Sequence, residues 1–88
     1  MSSEIELQNE ELYNKIKVLS NKLRFKIMEL TQNHSLSITE LSSKMKLSYN
    51  KCAEYVSLME KYGLIIKTKE GKEVKIQTKY NINTILNN

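Results

Sequence analysis

The chain has no proline, no tryptophan and no aspartate, and its 88 residues include only two glycines, one cysteine and one histidine. A single cysteine cannot form a disulfide within the chain and is typical of a reducing compartment. One cysteine and one histidine cannot supply the ligands of a His/Cys metal site in a single chain. Two glycines leave no glycine-rich phosphate loop. We therefore expect no enzymatic activity and no requirement for a metal or cofactor.

Membrane and export signals are lacking as well. No run of about 18 apolar residues is present, and Met1-Ser2-Ser3-Glu4 lacks the basic and apolar regions of a signal peptide. These features predict a cytoplasmic protein with no membrane contact. Apolar residues make up 40% of the chain, so the core of one domain lies near the lower limit for independent stability. Association with a second subunit would help to stabilise such a domain.

Charge is distributed unevenly along the chain. Residues 1–20 contain four glutamates and two lysines, a net charge of −2, whereas residues 61–80 contain six lysines and two glutamates, a net charge of +4. A basic C-terminal half is typical of nucleic-acid-binding proteins when it accompanies a suitable motif. Lysine-rich composition alone is weak evidence, because an AT-rich genome gives many proteins the same bias.

Two capped helix starts lie eleven residues apart, at Ser37 and Ser48. Ser37 with Glu40 fits a capping box, and Leu36 with Leu41 fits the hydrophobic staple beside it. The spacing leaves room for a short helix, a tight turn and a second helix. This arrangement is that of a DNA-reading helix-turn-helix, which we predict over residues 37–62.

Residues 64–79 alternate in polarity with a period of two, which predicts a β-hairpin. Pairing Thr68 with Val74 and Ile66 with Ile76 places the apolar side chains on one face and leaves a three-residue loop, Glu70-Gly71-Lys72. The same register sets Lys67 opposite Lys75, a like-charge pair that a polyanion would relieve. The lysines expected to contact DNA are Lys67, Lys69, Lys72 and Lys75. The alternative is a solvated edge that discourages aggregation.

The N-terminal part predicts two further helices. Leu12, Ile16 and Leu19 recur at helical spacing, which predicts an amphipathic helix over residues 8–19, and Asn21 is a good N-cap for the next helix. At the other end, residues 81–86 have apolar positions for one or two helical turns. Apolar side chains from both ends exceed what so small a core can cover, which predicts a two-fold dimer. The expected interface consists of Ile5, Leu12, Ile16, Leu19, Ile82, Ile85 and Leu86.

The expected fold is therefore mainly α with a small β-wing: a single winged helix-turn-helix domain over residues 1–88. Its order is four helices, a hairpin and a short C-terminal helix. A brief strand at Leu36–Ile38 could join the hairpin.

Several segments resemble ArsR-type winged-helix regulators over roughly residues 10–80. They are residues 19–30, Leu36 to Leu41, Leu47-Ser48, residues 60–65 and the Lys69–Lys75 wing. MarR-like and other winged-helix families share these motifs. The resemblance implies a homodimeric DNA-binding transcriptional regulator, such as a repressor, with the first helix and the C-terminal segment in the dimer interface.

The sequence departs from the ArsR pattern at several positions. The proline usual in the second helix is absent, and Lys46 stands where a glycine often ends the third helix. The metal-sensing cysteine pair is missing, because that segment reads Glu40-Leu41-Ser42-Ser43, and the second metal site is missing too. Metal sensing is therefore not expected. Glu54 occupies a position where the reading helix often has arginine.

On the fourth helix, Cys52, Val56 and Met59 define the buried stripe, and a 100° step per residue points other side chains outward. Asn50 could pair with adenine and Glu54 could accept a hydrogen bond from cytosine N4. The residues predicted to lie on the DNA are Ser48, Tyr49, Asn50, Lys51, Ala53, Glu54 and Ser57. The alternative for this surface is an ordinary solvated helix face. For Cys52, a core role competes with a redox switch.

Together these features predict a sequence-specific regulator that binds double-stranded DNA as a homodimer. The rival is a winged-helix interaction module that docks an acidic protein partner of the transcription machinery. Glu54 on the reading face favours the rival, as does the presence of a single arginine, Arg24, on a scaffold helix.

Overall fold

A computed structural model of the chain describes residues 3–79, with side chains described from residue 10 onward. Its helices and strands are α1 (Ser3–Leu19), α2 (Lys22–Leu30), β1 (Leu36–Ser37), α3 (Ile38–Met45), α4 (Tyr49–Lys61), β2 (Ile65–Glu70) and β3 (Glu73–Thr78). The predicted order of four helices followed by a hairpin is confirmed, although α1 begins at Ser3 rather than near residue 8. The predicted C-terminal helix with Ile82, Ile85 and Leu86, and the side chain of Ile5, lie outside the described residues. No helix in the described range is long and apolar enough to cross a membrane.

Side-chain caps fix the starts of the helices that follow α1. The Asn21 side chain accepts hydrogen bonds from two backbone N–H groups of α2, at 2.9 and 3.1 Å. Ser37 and Glu40 form both halves of a capping box at the start of α3, at 3.1 and 3.0 Å. The Ser48 hydroxyl accepts from the Lys51 N–H at 3.1 Å at the start of α4. These local hydrogen bonds satisfy N–H groups that have no partner within the helix, so each predicted start is confirmed.

The ends of α3 and α4 both turn through a left-handed residue. After α4, Gly63 has φ +72°, and the Leu64 N–H donates to the Met59 carbonyl at 2.9 Å, the pattern of a Schellman motif. After α3 the same position is taken by Lys46, with φ +56°. Lys46 is the only non-glycine residue of the described part with positive φ. A side chain in this conformation costs about 1–2 kcal/mol relative to glycine.

The hydrophobic core lies between the helices and the inner face of the sheet. Residues less than 2% exposed include Ile27, Met28, Leu41, Cys52, Val56, Met59, Leu64, Ile65 and Ile76. The predicted buried stripe of α4 is thus confirmed. Burial also raises the pKa of the Cys52 thiol, which disfavours the thiolate that redox chemistry requires.

The sheet has the strand order β1-β3-β2, with both pairs antiparallel. Its short edge strand β1 pairs Leu36 with Ile76 and Ser37 with Lys75. The wing is therefore hydrogen-bonded to the segment that immediately precedes α3. This is the position at which the sequence allowed a brief strand that joins the hairpin.

The predicted hairpin register is wrong by one residue. Val74 pairs with Lys69 rather than Thr68, and Ile76 pairs with Lys67 rather than Ile66. The turn has two residues instead of three because Gly71 adopts φ +62°, which a two-residue hairpin turn requires. In this register Ile65 shares the buried face with Ile76, whereas the Ile66 side chain is 43% exposed.

The new register also removes the predicted like-charge pair. Lys67 lies on the face of Ile76, and Lys75, its neighbour in β3, points to the opposite face. The two lysines therefore do not face each other across the hairpin. Each reaches a different helix of the domain.

Two threonines fix the base of the wing to the end of α2. Thr31 is fully buried, and its hydroxyl lies 2.7 Å from that of Thr78. The Thr31 hydroxyl is also 2.8 Å from the Ile27 carbonyl, and that of Thr78 is 2.8 Å from the Met28 carbonyl. The Thr31 hydroxyl also lies 3.4 Å from the Met28 carbonyl. Each hydroxyl has a single proton, so the two protons are shared among these four contacts.

Candidate nucleic-acid interface

The outward face of α4 carries small and polar side chains. Asn50, Glu54 and Ser57 are exposed, Ala53 is half-buried between them, and Tyr49 is exposed at the helix start. A shallow open groove runs along this face, bordered by Asn50, Ala53, Glu54, Ser57, Leu58 and Lys61. An α-helix with side chains is about as wide as the DNA major groove. The small residues at the centre of the face allow a close approach.

Two of the residues predicted to contact DNA also make contacts within the protein. The Ser48 hydroxyl accepts the capping hydrogen bond at the start of α4. Lys51 lies 3.9 Å from Glu54 and 5.0 Å from the centre of the Tyr55 ring. The positive charge of Lys51 is therefore partly offset by Glu54, and this pair adds little net charge to the face.

Arg24 has a structural role, as predicted for a scaffold helix. Its Nε donates to the Val18 carbonyl at 2.7 Å, and its guanidinium lies 5.6 Å from the centre of the Tyr55 ring. It links the end of α1 to α2 and α4. The common arginine–guanine contact is thus not offered by this residue.

Two of the four predicted wing lysines already have carboxylate partners. Lys67 Nζ lies 3.3 Å from the Glu60 carboxylate in the last turn of α4. Lys75 Nζ lies 2.9 Å from Glu40 in α3 and 3.2 Å from Glu73 in its own strand. The Lys75 side chain is only 19% exposed. A phosphate that contacts these lysines would compete with the carboxylates.

The contact between Glu40 of α3 and Lys75 of the wing stabilises the charged form of both side chains. The Ser37 backbone N–H and the Lys75 ammonium lower the pKa of Glu40 from 4.5 to about 2. The carboxylates of Glu40 and Glu73 raise the pKa of Lys75. Both members of the Glu40–Lys75 pair therefore remain charged at neutral pH.

The other two wing lysines are open to solvent. Lys69 and Lys72 are exposed, and neither has a carboxylate partner within residues 10–79. Lys72 lies in the turn of the hairpin, at the tip of the wing. Of the four predicted wing lysines, these two are the more available to an anionic ligand.

A cleft of about 270 Å³ separates the wing tip from the helix-turn-helix. Its lining residues are Ser37, Ile38, Thr39, Tyr49, Lys72, Glu73 and Val74. Lys72, Thr39 and Tyr49 border the same cleft, and lysine, threonine and tyrosine side chains commonly contact DNA phosphates. Sequence reasoning missed Thr39, because its place beside Lys72 depends on the pairing of β1 with β3. The only local signal was its position in the first turn of the helix-turn-helix.

The predicted self-association residues whose side chains are described all lie on α1. Leu12 and Ile16 on α1 are 56% and 59% exposed, and the neighbouring Tyr13 is 61% exposed. Leu19, by contrast, is half-buried and packs against the core. The outward face of α1 thus leaves an apolar patch uncovered in the single chain.

Within the described residues, no group of three or more His, Cys, Asp or Glu side chains could hold a metal ion.

The four helices, the three-stranded sheet and the hairpin define this chain as a winged helix-turn-helix protein. The family model HVO_A0114 matches residues 18–85, and the chain belongs to that family. No curated protein sequence matches the chain.

Several solved structures have the same fold. Reduced HlyU from Vibrio cholerae superposes with a TM-score of 0.82 at 22% identity, over 97% of this chain and 90% of HlyU. NolR from Sinorhizobium fredii gives 0.83 at 16% identity, over 99% and 88%. A homodimeric winged helix-turn-helix DNA-binding domain from Mycobacterium bovis, described as a possible ArsR-family transcriptional regulator, gives 0.85 at 14% identity, over 98% and 80%. The predicted ArsR-type fold is thereby confirmed.

Proposed function

We propose that this chain is a cytoplasmic transcriptional regulator that binds double-stranded DNA as a homodimer. The main support is that α4 presents a narrow polar face beside a wing that exposes Lys69 and Lys72, neither of which has a carboxylate partner within residues 10–79. A helix of this kind fits the major groove, and lysines beside it can lie along the flanking phosphates. The solved structure from Mycobacterium bovis, named as a homodimeric DNA-binding domain, supports the same function.

Within this proposal, α4 supplies the sequence preference. Asn50 is exposed in the first turn of α4, and its amide can donate to and accept from an adenine edge. Glu54 can accept from a cytosine amino group, and its charge opposes the approach of phosphate. Together they predict selective rather than indiscriminate binding.

The homodimer is proposed from the exposed patch on α1. Leu12, Tyr13 and Ile16 lie side by side on one helix and are more than half exposed. A two-fold axis through this patch would cover it with the same residues of a second copy. Two copies then present two α4 helices, which can enter successive major grooves about 34 Å apart.

Fluorescence anisotropy with a random-sequence duplex across a salt series tests the proposal. The logarithm of the association constant should fall linearly with the logarithm of salt concentration, because cationic side chains release counterions from the phosphates. Lys69→Ala should reduce the slope by roughly one unit. Lys26→Ala, which removes an exposed lysine on α2, serves as the matched control and should leave the slope unchanged. A wild-type protein with no salt-dependent binding would contradict the proposal and favour a protein-interaction module.

A further inference from the structure

The wing is held from two sides by ion pairs to the two helices of the helix-turn-helix. Lys67 reaches Glu60 in α4 at 3.3 Å. Lys75 reaches Glu40 in α3 at 2.9 Å from the opposite face of the hairpin. One pair therefore ties the hairpin to the reading helix and the other ties it to the helix before it.

Buried contacts secure only the base of the wing. Ile65 and Ile76 lie in the core, and Thr78 is hydrogen-bonded to the end of α2. Every residue from 66 to 74 is exposed, although the Lys67 side chain itself is only 31% exposed. Within residues 10–79, the ion pairs of Lys67 and Lys75 are the side-chain polar contacts that join the hairpin beyond its base to α3 and α4.

The carboxylate that holds Lys75 is itself held in place. The same Glu40 oxygen that lies 2.9 Å from Lys75 accepts the Ser37 N–H at 3.0 Å in the capping box. The capping box thus sets the position of the anchor at the start of α3. On the hairpin side, Glu73 provides a second carboxylate 3.2 Å from Lys75. A DNA phosphate would have to displace both to use this lysine.

We propose that Lys67 and Lys75 are positioning residues that set the angle of the wing, whereas Lys69 and Lys72 make its phosphate contacts. The ion pairs of Lys67 and Lys75 would then hold the wing tip, with Lys72, at a fixed distance from Thr39 and Tyr49 across the cleft. The part of this inference that concerns DNA rests on the proposed function. The part that concerns the position of the wing does not.

Neutralising the carboxylate partners distinguishes a positioning role for the lysines from direct phosphate contact, because the two roles predict opposite changes in DNA affinity. Glu60→Gln and Glu40→Gln each remove a negative charge and free one lysine. If those lysines contact phosphate, both variants should bind DNA more tightly. If the lysines are anchors, both should bind roughly two- to fivefold more weakly, the range that surface ion pairs usually carry, with an unchanged salt slope.

Glu70→Gln is the matched control. It adds the same charge on the same hairpin, but Glu70 forms no ion pair in the described part of the chain. It should bind DNA equally well or slightly more tightly than wild type. Tighter binding by all three variants would overturn the inference while leaving the proposed function intact.

Amide hydrogen exchange without DNA provides the second readout. Glu60→Gln and Glu40→Gln should accelerate exchange at residues 66–76 by roughly two- to fivefold relative to Glu70→Gln. Unchanged exchange in both would overturn the positioning role. This result holds even if the wild-type protein fails to bind DNA, in which case only the proposed function fails.

Discussion

Helices α1 and α4 both expose a face to solvent, but the two faces have opposite chemistry. On α1 the exposed residues Leu12, Tyr13 and Ile16 are apolar or aromatic. On α4 they include the amide of Asn50 and the hydroxyl of Ser57. An uncovered apolar patch is typical of a protein–protein contact, whereas a polar face can remain hydrated until a polar ligand replaces the water. We therefore propose a second copy of the chain as the partner of α1 and DNA as the ligand of α4.

The wing differs from both helix faces because its contribution is charge. Its one amide side chain, Gln77, lies near the base of the hairpin. Lys67 and Lys75 are paired within the domain, whereas Lys69 and Lys72 have no carboxylate partner within residues 10–79. Phosphate contacts position a protein on DNA, whereas contacts to base edges specify the sequence. Affinity and selectivity are therefore expected to respond to different substitutions.

The largest expected effect follows from a charge placed on the α1 face. Ile16→Glu should abolish the dimer, because two carboxylates would face each other across the two-fold axis. DNA affinity should fall by about 100-fold, since each half-site would then be bound alone. Sedimentation equilibrium and anisotropy measure the two effects. Asn33→Glu adds the same charge at an exposed loop position. It should leave the dimer intact and change DNA affinity by no more than a few-fold. A wild-type protein that remains monomeric at high micromolar concentration would contradict the proposed dimer contact through α1.

The next effect concerns the α4 face. Asn50→Ala should weaken binding to the preferred site by about 1–3 kcal/mol and have little effect on random duplexes, because only the base contact is lost. Lys69→Ala should instead weaken binding by a similar factor on every duplex. Competition between a selected and a random duplex measures the difference. Equal losses on both duplexes for Asn50→Ala would show that α4 does not read sequence.

A smaller effect is expected in the turn that leads into α4. Lys46→Gly should stabilise the fold by about 1 kcal/mol, because glycine adopts positive φ without steric cost. This corresponds to an increase of roughly 4–8 °C in the unfolding midpoint at constant protein concentration. Lys44→Gly, inside α3, should be destabilising instead. A decrease for Lys46→Gly would show that the lysine side chain makes a stabilising contact of its own.

The smallest effect is a pH dependence at Glu40. Its pKa is lowered from 4.5 to about 2, so its contribution to stability is present above pH 4.5 and is lost as the pH falls toward 2. Glu40→Gln should therefore reduce the change in unfolding midpoint between these two pH values. Glu70→Gln is the control and should retain the wild-type dependence. Identical curves for wild type and Glu40→Gln would contradict the Glu40 pairing.

The sequence predicted the parts of this fold that depend on neighbours a few residues apart. The caps at Asn21, Ser37 and Ser48 each join residues two or three positions apart, so their signals are local. The buried stripe of α4 was visible for the same reason, because helical periodicity places its members on one side.

The errors and omissions have two causes, the backbone conformation of single residues and contacts between distant segments. Apolar alternation allowed two hairpin registers, and the choice depended on whether Gly71 began a two-residue turn. The Glu40–Lys75 pair joins residues 35 positions apart, which no local pattern indicates. The placement of Thr39 in the same cleft as Lys72 likewise depends on the pairing of β1 with β3, which are distant in sequence. Lys46 was noted as a departure from glycine, but its positive φ required the structure.

The comparison between α1 and α4 is tested most directly by the NMR spectrum of the isotope-labelled protein during titration with duplex DNA. Amide signals should shift along α4 from Tyr49 to Ser57 and at Lys69 and Lys72, because these groups are expected to contact the duplex. Signals around Ile16 in α1 should remain unchanged, because the dimer contact is already formed. Shifts concentrated on α1, or none on α4 at saturating DNA, would contradict the account.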